Sequence, residues 1–358
     1  MLLRLALLAM AAASSAAPLP CLLVGGDAAA AFAFDAAKGA TPAPLGGDGG
    51  ALGRGPGFVA VSATQGVVYA TSVNEVGPPP TGGAAASRAR DAVPGITTAR
   101  ASCSGGPGGG ASFATLGHVA ADEPCHVAIH PSGGWVFSAS YNLGTVAVMQ
   151  VLPDSTLGPA FQMSVGPKAH AVNFDSTGRF VFVPCLGNDT VAQLFFDASS
   201  GTLSWNPYQA RAALPAGAGP RHMVFLPTAP LLAFVLCELD STVVPFALDA
   251  QRGTLAPLPQ APVSTLRAGL PAPAVQAAAE ILASADGRFL YATNRASGGA
   301  APGAGDNSVA VLPLTPAGAL VGNVSSWATG SGEQVRSLFL SVPGGDPCAR
   351  PQSPRLRA

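Results

Sequence analysis

Charge is scarce in this 358-residue chain: Asp, Glu, Lys and Arg together make up 10%, against a usual share of about 25%. The formal net charge is -1, so there is neither a basic footprint for nucleic acid nor an acidic tail. Past the N-terminus nothing stays apolar for the ~18 residues that a membrane-spanning helix needs. Helical periodicity is also missing: no segment combines Leu, Glu and Lys at helical spacing over several turns. The chain has no Cys/His cluster at zinc spacing, no Gly-x-Ser-x-Gly elbow and no P-loop. Six cysteines occur, at Cys21, Cys103, Cys125, Cys185, Cys237 and Cys348. An even count suits a disulfide framework, but a chain this long does not need staples. Cys185 and Cys237 lie inside apolar runs, which favours buried free thiols.

What the chain has in excess is punctuation. With 44 Gly and 34 Pro, it suits many short strands better than long helices. Four segments are self-similar: "HPSGGWVFSASYNLGTVAVMQV" (130–151), "FDSTGRFVFVPCLGNDTVAQLFF" (174–196), "LPTAPLLAFVLCELDSTVVPFAL" (226–248) and "SADGRFLYATNRASGG" (284–299). The last resumes as "DNSVAVLPL" (306–314). Each reads as a polar turn, an apolar run, a second turn rich in Gly, Asn or Asp, and another apolar run, which is the grammar of a β-hairpin. Upstream of each hairpin sits one more apolar strand: "PCHVAIHP", "KAHAVNFD", "GPRHMVFLP" and "AAEILASAD".

A unit of about 45–55 residues holding roughly four short strands is the signature of a β-propeller blade. The expected fold is therefore all-β: a seven-bladed β-propeller with the last blade apparently truncated. A two-sheet sandwich could use similar hairpins, but the period and the recurring polar marker argue against it. The expected units are a fragment at 21–56, then 57–121, 122–167, 168–218, 219–276 and 277–334, with a seventh opening at "VRSLFLSVPGG" (335–345). Around the propeller domain at 21–345 we expect a signal or targeting peptide over 1–17 and a disordered tail over 346–358. For the leader, the run after Arg4 and the Ser/Ala-rich stretch near Ala17 fit secretion; an organelle transit peptide or a start placed too far upstream are the alternatives.

The upstream strands carry one polar marker each: His126, His170, His222 and Glu280. Innermost strands of successive blades line a central channel, so these markers should meet at one of its ends. Arg221 precedes His222, Glu238 follows the third hairpin's first strand, and Asn294–Arg295 end the fourth's; Arg336 opens the partial unit. The alternative for each is a structural group satisfying a strand end. His130, in a turn before Pro131, is expected at the surface, as are Arg179 and Arg288.

Taken in order, "GAGPRHMVFLP", "CELDSTV", "AAEILASADGRFLYATNR" and "SYNLGTVAV" resemble the seven-bladed propeller lactonase family. That family includes 6-phosphogluconolactonases of the bacterial propeller type and fungal muconate-cyclising enzymes. The resemblance implies a lactone hydrolase without metal or organic cofactor, acting on a small sugar lactone such as 6-phosphogluconolactone in carbohydrate metabolism. No nucleic acid and no membrane span are expected from the charge and the apolar runs above, and a monomer is expected. The cytoplasm would be the expected location, and a genuine leader would instead imply an exported or organellar protein. Where the family typically has His-x-His, this chain reads "KAH", leaving His170.

Hydrolysis needs a base for the attacking water and cations for the developing oxyanion. His170, His222, Glu280 and Glu238 are the expected catalytic groups, with the identity of the base open. Arg221, Arg295, Asn294, Arg336 and His126 are the expected substrate-binding groups, the arginines offering forked hydrogen bonds to an anion. Two rival functions remain: a muconate-type lactonising enzyme and a non-catalytic exported scaffold.

Overall fold

The computed structural model describes residues 58–62, 65–72, 93–103, 111–266, 276–296, 308–321 and 325–328, together with five strands within the first 46. Those five are β1 (Leu3–Leu7), β2 (Cys21–Gly26), β3 (Ala30–Asp35), β4 (Gly39–Ala43) and β5 (Leu45–Gly46). The second sheet adds β6 (Val59–Ser62), β7 (Val67–Ser72), β8 (Gly95–Cys103) and β9 (Ala111–Ala120), with β5 alongside β9. The third holds β10 (Pro124–Ile129), β11 (Trp135–Ser140), β12 (Thr145–Gln150) and β13 (Phe161–Ser164). In the fourth are β14 (Asn173–Phe174), β15 (Phe180–Cys185), β16 (Thr190–Asp197), β17 (Thr202–Trp205) and β18 (Arg211–Ala213). The fifth comprises β19 (Pro220–Leu226), β20 (Ala229–Cys237), β21 (Thr242–Asp249), β22 (Thr254–Pro257) and β23 (Val263–Ser264). The sixth comprises β24 (Gln276–Ala283), β25 (Phe289–Ala296), β26 (Ser308–Pro313) and β27 (Ser325–Ala328). Leu3–Leu7, within the expected leader, pairs with Cys21–Gly26. The partial seventh unit, Arg336 and the 346–358 tail lie outside the described residues.

The fold is an all-β propeller, and its side-chain pattern shows why. In β15 every residue is buried, yet consecutive residues serve different cores. Val181 and Val183 pack with Phe137 and Val148 of the third sheet, whereas Phe180 and Phe182 pack with Val235 and Phe246 of the fifth. Likewise Val136 joins Tyr69 and Ile96 of the second sheet, while its neighbour Phe137 faces the fourth. Phe234 and Leu236 meet Ile281 and Leu290 of the sixth. Strand side chains alternate between faces, and here both faces are covered by neighbouring sheets, so the apolar runs are continuous. Burial fades outward: of the fourth strands, β13 is largely exposed and β17 and β22 are half exposed.

Turns lock neighbouring sheets together. The "DASSGTL" and "DAQRGTL" turns start with Asp197 and Asp249, which accept the backbone N–H groups of Ser199 and Gln251 at 3.0 and 2.9 Å. Gly201 (φ 75°) and Gly253 (φ 67°) follow in the left-handed region. A Cβ there would lie 2.2 Å from the Trp135 ring and 2.0 Å from the Phe180 ring, so glycine is needed for both conformation and contact.

Two expectations change. His170 does not lie in a regular strand: β14 begins only at Asn173, and His170 is held by its N–H to Pro184 O at 2.9 Å. Placing proline opposite leaves too few ladder bonds for a longer strand. His130 is buried rather than at the surface, because its ring bonds Ser132 Oγ (2.8 Å) and Gly178 O (2.9 Å) and packs between Phe174 and Phe196. Arg179 and Arg288 are exposed as expected. Cys125, Cys185 and Cys237 are free thiols, and burial pushes Cys185 up to about 11.

Candidate active site

A one-residue β-bulge marks three inner strands, β10, β19 and β24, and the segment before β14 carries a matching extra residue. Pro124 and His126 face Ser140 and Ala139; Pro220 and His222 face Cys237 and Leu236; Ala278 and Ile281 face Asn294 and Ala292. Between the Ala169–Cys185 bridge and the Asn173–Phe182 pair, four steps on one strand face three on the other. A bulge interrupts the strict up-down alternation of side chains and re-aims them. That is how adjacent Arg221 and His222 can both reach one cluster.

The markers do converge. The His222 ring lies 5.4 Å from that of His126 and 5.2 Å from that of His170. His222 Nδ1 is 2.7 Å from Glu280 Oε1. Arg221 Nη1 donates to His222 Nε2 at 3.2 Å and also to the Ala279 carbonyl. Since guanidinium only donates, Nε2 accepts, and the His222 proton sits on Nδ1 and is given to Glu280. Glu280 Oε1 takes a second hydrogen bond from Ile281 N at 3.1 Å, while Oε2 is buried with no hydrogen-bond partner among the described residues. In His126, Nδ1 accepts from Val172 N at 3.3 Å, which leaves its proton on Nε2.

Nearer solvent, Glu238 bridges two cations. Its Oε2 is 2.7 Å from Arg221 Nε and its Oε1 is 2.8 Å from Arg295 Nη2. Side-chain exposure rises from 5% and 7% at His222 and Glu280 to 19% at Glu238, so the cluster has a deep end and a rim.

Burial sets the protonation states, because it penalises charge. It brings His126 down to about 3, helped by neighbouring His222 and Arg221. His170 and His222 also fall well below the ordinary imidazole value through burial and the Arg221 charge. Glu280 is pushed up to about 7 by burial, with Arg221 and His126 pulling the other way. A carboxyl that titrates near neutrality is matched to general-base work.

Of the expected site residues, His126, His170, Arg221, His222, Glu238, Glu280 and Arg295 are brought together. Asn294 is not available for substrate. It is buried, and its amide is spent on Thr265 O, Ser308 Oγ and the Thr265 hydroxyl, at 2.9, 3.2 and 2.7 Å. Two aromatic residues escaped the sequence reading. Phe58 lies 4.1 Å from the His126 ring and 5.9 Å from that of His222. The Tyr141 ring lies 5.5 Å from the His170 ring, and Lys168 Nζ is 5.6 Å from the Tyr141 ring centroid. Tyr141 could have been found. It directly follows the residue closing the second-to-third strand pairing (Ser140 with Thr145), as Glu238 follows Cys237 and Arg295 follows Asn294.

The family model of the lactonase, 7-bladed β-propeller, matches residues 32–333. The chain belongs to this family. A 6-phosphogluconolactonase of Pectobacterium carotovorum subsp. carotovorum is 38% identical to this lactonase-family chain over 176 residues, 48% of the chain and 50% of the relative. One of Cronobacter sakazakii is 35% identical over 176 residues, with the same coverage of 48% and 50%. The chain thus spans about half the length of the curated relatives it matches. Among solved structures, the Pseudomonas aeruginosa periplasmic gluconolactonase is similar with a TM-score of 0.65 and 24% identity, over 89% of this chain and 81% of that one. A Lactobacillus plantarum protein has a TM-score of 0.66 and 24% identity, over 92% and 83%. These likenesses show the fold of the lactonase-family chain.

Proposed function

We propose that the chain hydrolyses a sugar lactone carrying an anionic group, with 6-phosphogluconolactone as substrate, on a propeller of seven blades. The family model supports the blade number, and the names of the curated relatives support the substrate. One observation carries the chemistry: a buried His222–Glu280 pair, 2.7 Å apart, beside two arginines already arranged around a carboxylate.

In this reading water attacks the lactone carbonyl and gives its proton to the His222–Glu280 pair. His222 Nδ1–H and Ile281 N–H both hold Oε1, which leaves Oε2 as the accepting atom. Arg221 supplies positive charge for the oxyanion, and the Nε2–H of His126 is a further donor. Collapse breaks the ring C–O bond, and the proton passes from the pair to the departing ring oxygen, yielding the hydroxy acid. Arg295 and Arg221 exchange Glu238 for the anionic group of the substrate.

The test is hydrolysis of 6-phosphogluconolactone by the purified protein. Glu280→Gln and His222→Ala should each lower kcat by ~10²–10⁴-fold, the usual worth of positioned acid–base catalysis. Arg221→Ala should abolish the thermal stabilisation by 6-phosphogluconate. Equal rates in all variants would remove the site. Stabilisation without hydrolysis would leave a binding protein instead.

A further inference from the structure

Resting on the function proposed above, we propose that Asp189 is a positioning residue for Arg221 and His222, acting through the loop that leads into β19. Asp189 closes the turn between β15 and β16 in the left-handed region, at φ 52°. The same turn position is filled by Gly144 (φ 66°) between β11 and β12, and by Ser241 (φ 54°) between β20 and β21. At all three, the carbonyl accepts an N–H from the segment leading to the next inner strand. Val165 donates to Gly144, Leu214 to Asp189 and Thr265 to Ser241, each at 2.9 Å. This backbone clasp is therefore a general device of the blades.

Asp189 adds a second clasp to it. Its Oδ2 accepts from Gly217 N and its Oδ1 from Gly219 N, both at 2.8 Å. Gly144 has no side chain to do this, and Ser241 Oγ is buried without a hydrogen-bond partner among the described residues. Among these three turns, the extra clasp occurs where the clasped loop leads to Arg221 and His222. The loop needs it. Gly217 and Gly219 both have positive φ, 80° and 65°, and glycine is the least restrained backbone available. A Cβ at Gly219 would lie 2.5 Å from Leu239, so the chain cannot be stiffened there by a larger residue. A carboxylate taking two N–H groups in charge-assisted bonds restrains it instead. Two residues beyond Gly219, Arg221 must meet His222, Ala279 and Glu238 together.

The experiment compares Asp189→Ala and Asp189→Asn with Asp175→Ala in the full-length protein. Asp175 is a control of similar kind: buried, it caps the turn between β14 and β15, accepting from Thr177 N and Phe180 N at 3.0 and 2.9 Å. Both turns should cost thermal stability, so rates are read well below each Tm. Asp189→Ala should lower kcat on 6-phosphogluconolactone by roughly 10–100-fold, as misplacement of a catalytic group does. Asp189→Asn, which keeps one acceptor oxygen, should recover part of this, and Asp175→Ala should keep kcat. The ring-proton resonances of His222 should shift in Asp189→Ala and not in Asp175→Ala. A rate loss in Asp175→Ala equal to that in Asp189→Ala would overturn the proposal. So would an unmoved His222 spectrum in Asp189→Ala. If the wild-type protein hydrolyses no lactone, the hydrolase reading fails, and the His222 spectrum alone decides for or against positioning.

Discussion

At the scale of single residues, the cluster stores opposite charges that only make sense as a set. Glu238 holds two guanidinium groups whose side chains are 9% and 12% exposed. Removing one partner of such a group leaves buried charge uncompensated. Glu238→Ala should therefore destabilise the ligand-free protein by on the order of 3 kcal/mol, with part of the loss restored by phosphate or 6-phosphogluconate in a thermal-shift measurement. An unchanged Tm, or no recovery with either anion, would show that the arginines do not form an anion site. The markers His126, His170, His222 and Glu280 were legible in the sequence because charge is rare in apolar strands, so each one stood out. Asn294 was misread for the same reason. A polar residue beside an arginine looked exposed to substrate, yet its amide joins Thr265 and Ser308, and no spacing rule could reveal those partners.

At the scale of strands and turns, what matters is how many faces a strand must bury. The hairpins of the third to sixth sheets were legible because a continuous apolar run between turn signals is the expected pattern of a strand covered on both sides. Phe182 in β15 illustrates the energetic consequence. It is fully buried between two sheets, and Phe182→Ala should cost ~3–5 kcal/mol in chemical denaturation. Phe161 in β13 is 54% exposed, and Phe161→Ser should change stability by less than about 0.5 kcal/mol. Similar losses at the two positions would contradict this packing. The bulges were not legible. One extra residue in an inner strand follows from how two chains pair, and "PCHVAI" alone does not disclose its partner's register.

For the whole molecule, three neutral histidines and one raised carboxyl set the pH response. Each imidazole lies below its ordinary value of 6.5 when folded. In acid the unfolded chain therefore binds more protons, and stability falls as pH drops below about 6.5. Glu280 acts in the opposite sense. Raised from 4.5 to about 7, it favours the fold when protonated and loses that contribution as pH rises through this window. Three groups outweigh one, so stability should decline from pH 6.5 to 4.5 by on the order of 1–3 kcal/mol per pH unit. Calorimetry would read this as a falling Tm, and it should flatten in a His126→Gln, His170→Gln double variant. A Tm that rises on acidification would mean the imidazoles are charged in the folded protein.

The sequence by itself determined the all-β class, the repeating unit and which residue types stand at the inner strands. These are local matters: turn residues have conformational preferences, and apolar runs must be buried whatever covers them. Only the tertiary structure decided that bulges turn Arg221 and His222 together, that Glu238 spans two arginines, and that Asp189 reaches across to Gly217 and Gly219. The Glu238 and Asp189 contacts join residues brought together by strand pairing and chain path, and the one from Glu238 to Arg295 exists only once the fifth and sixth sheets have packed side by side.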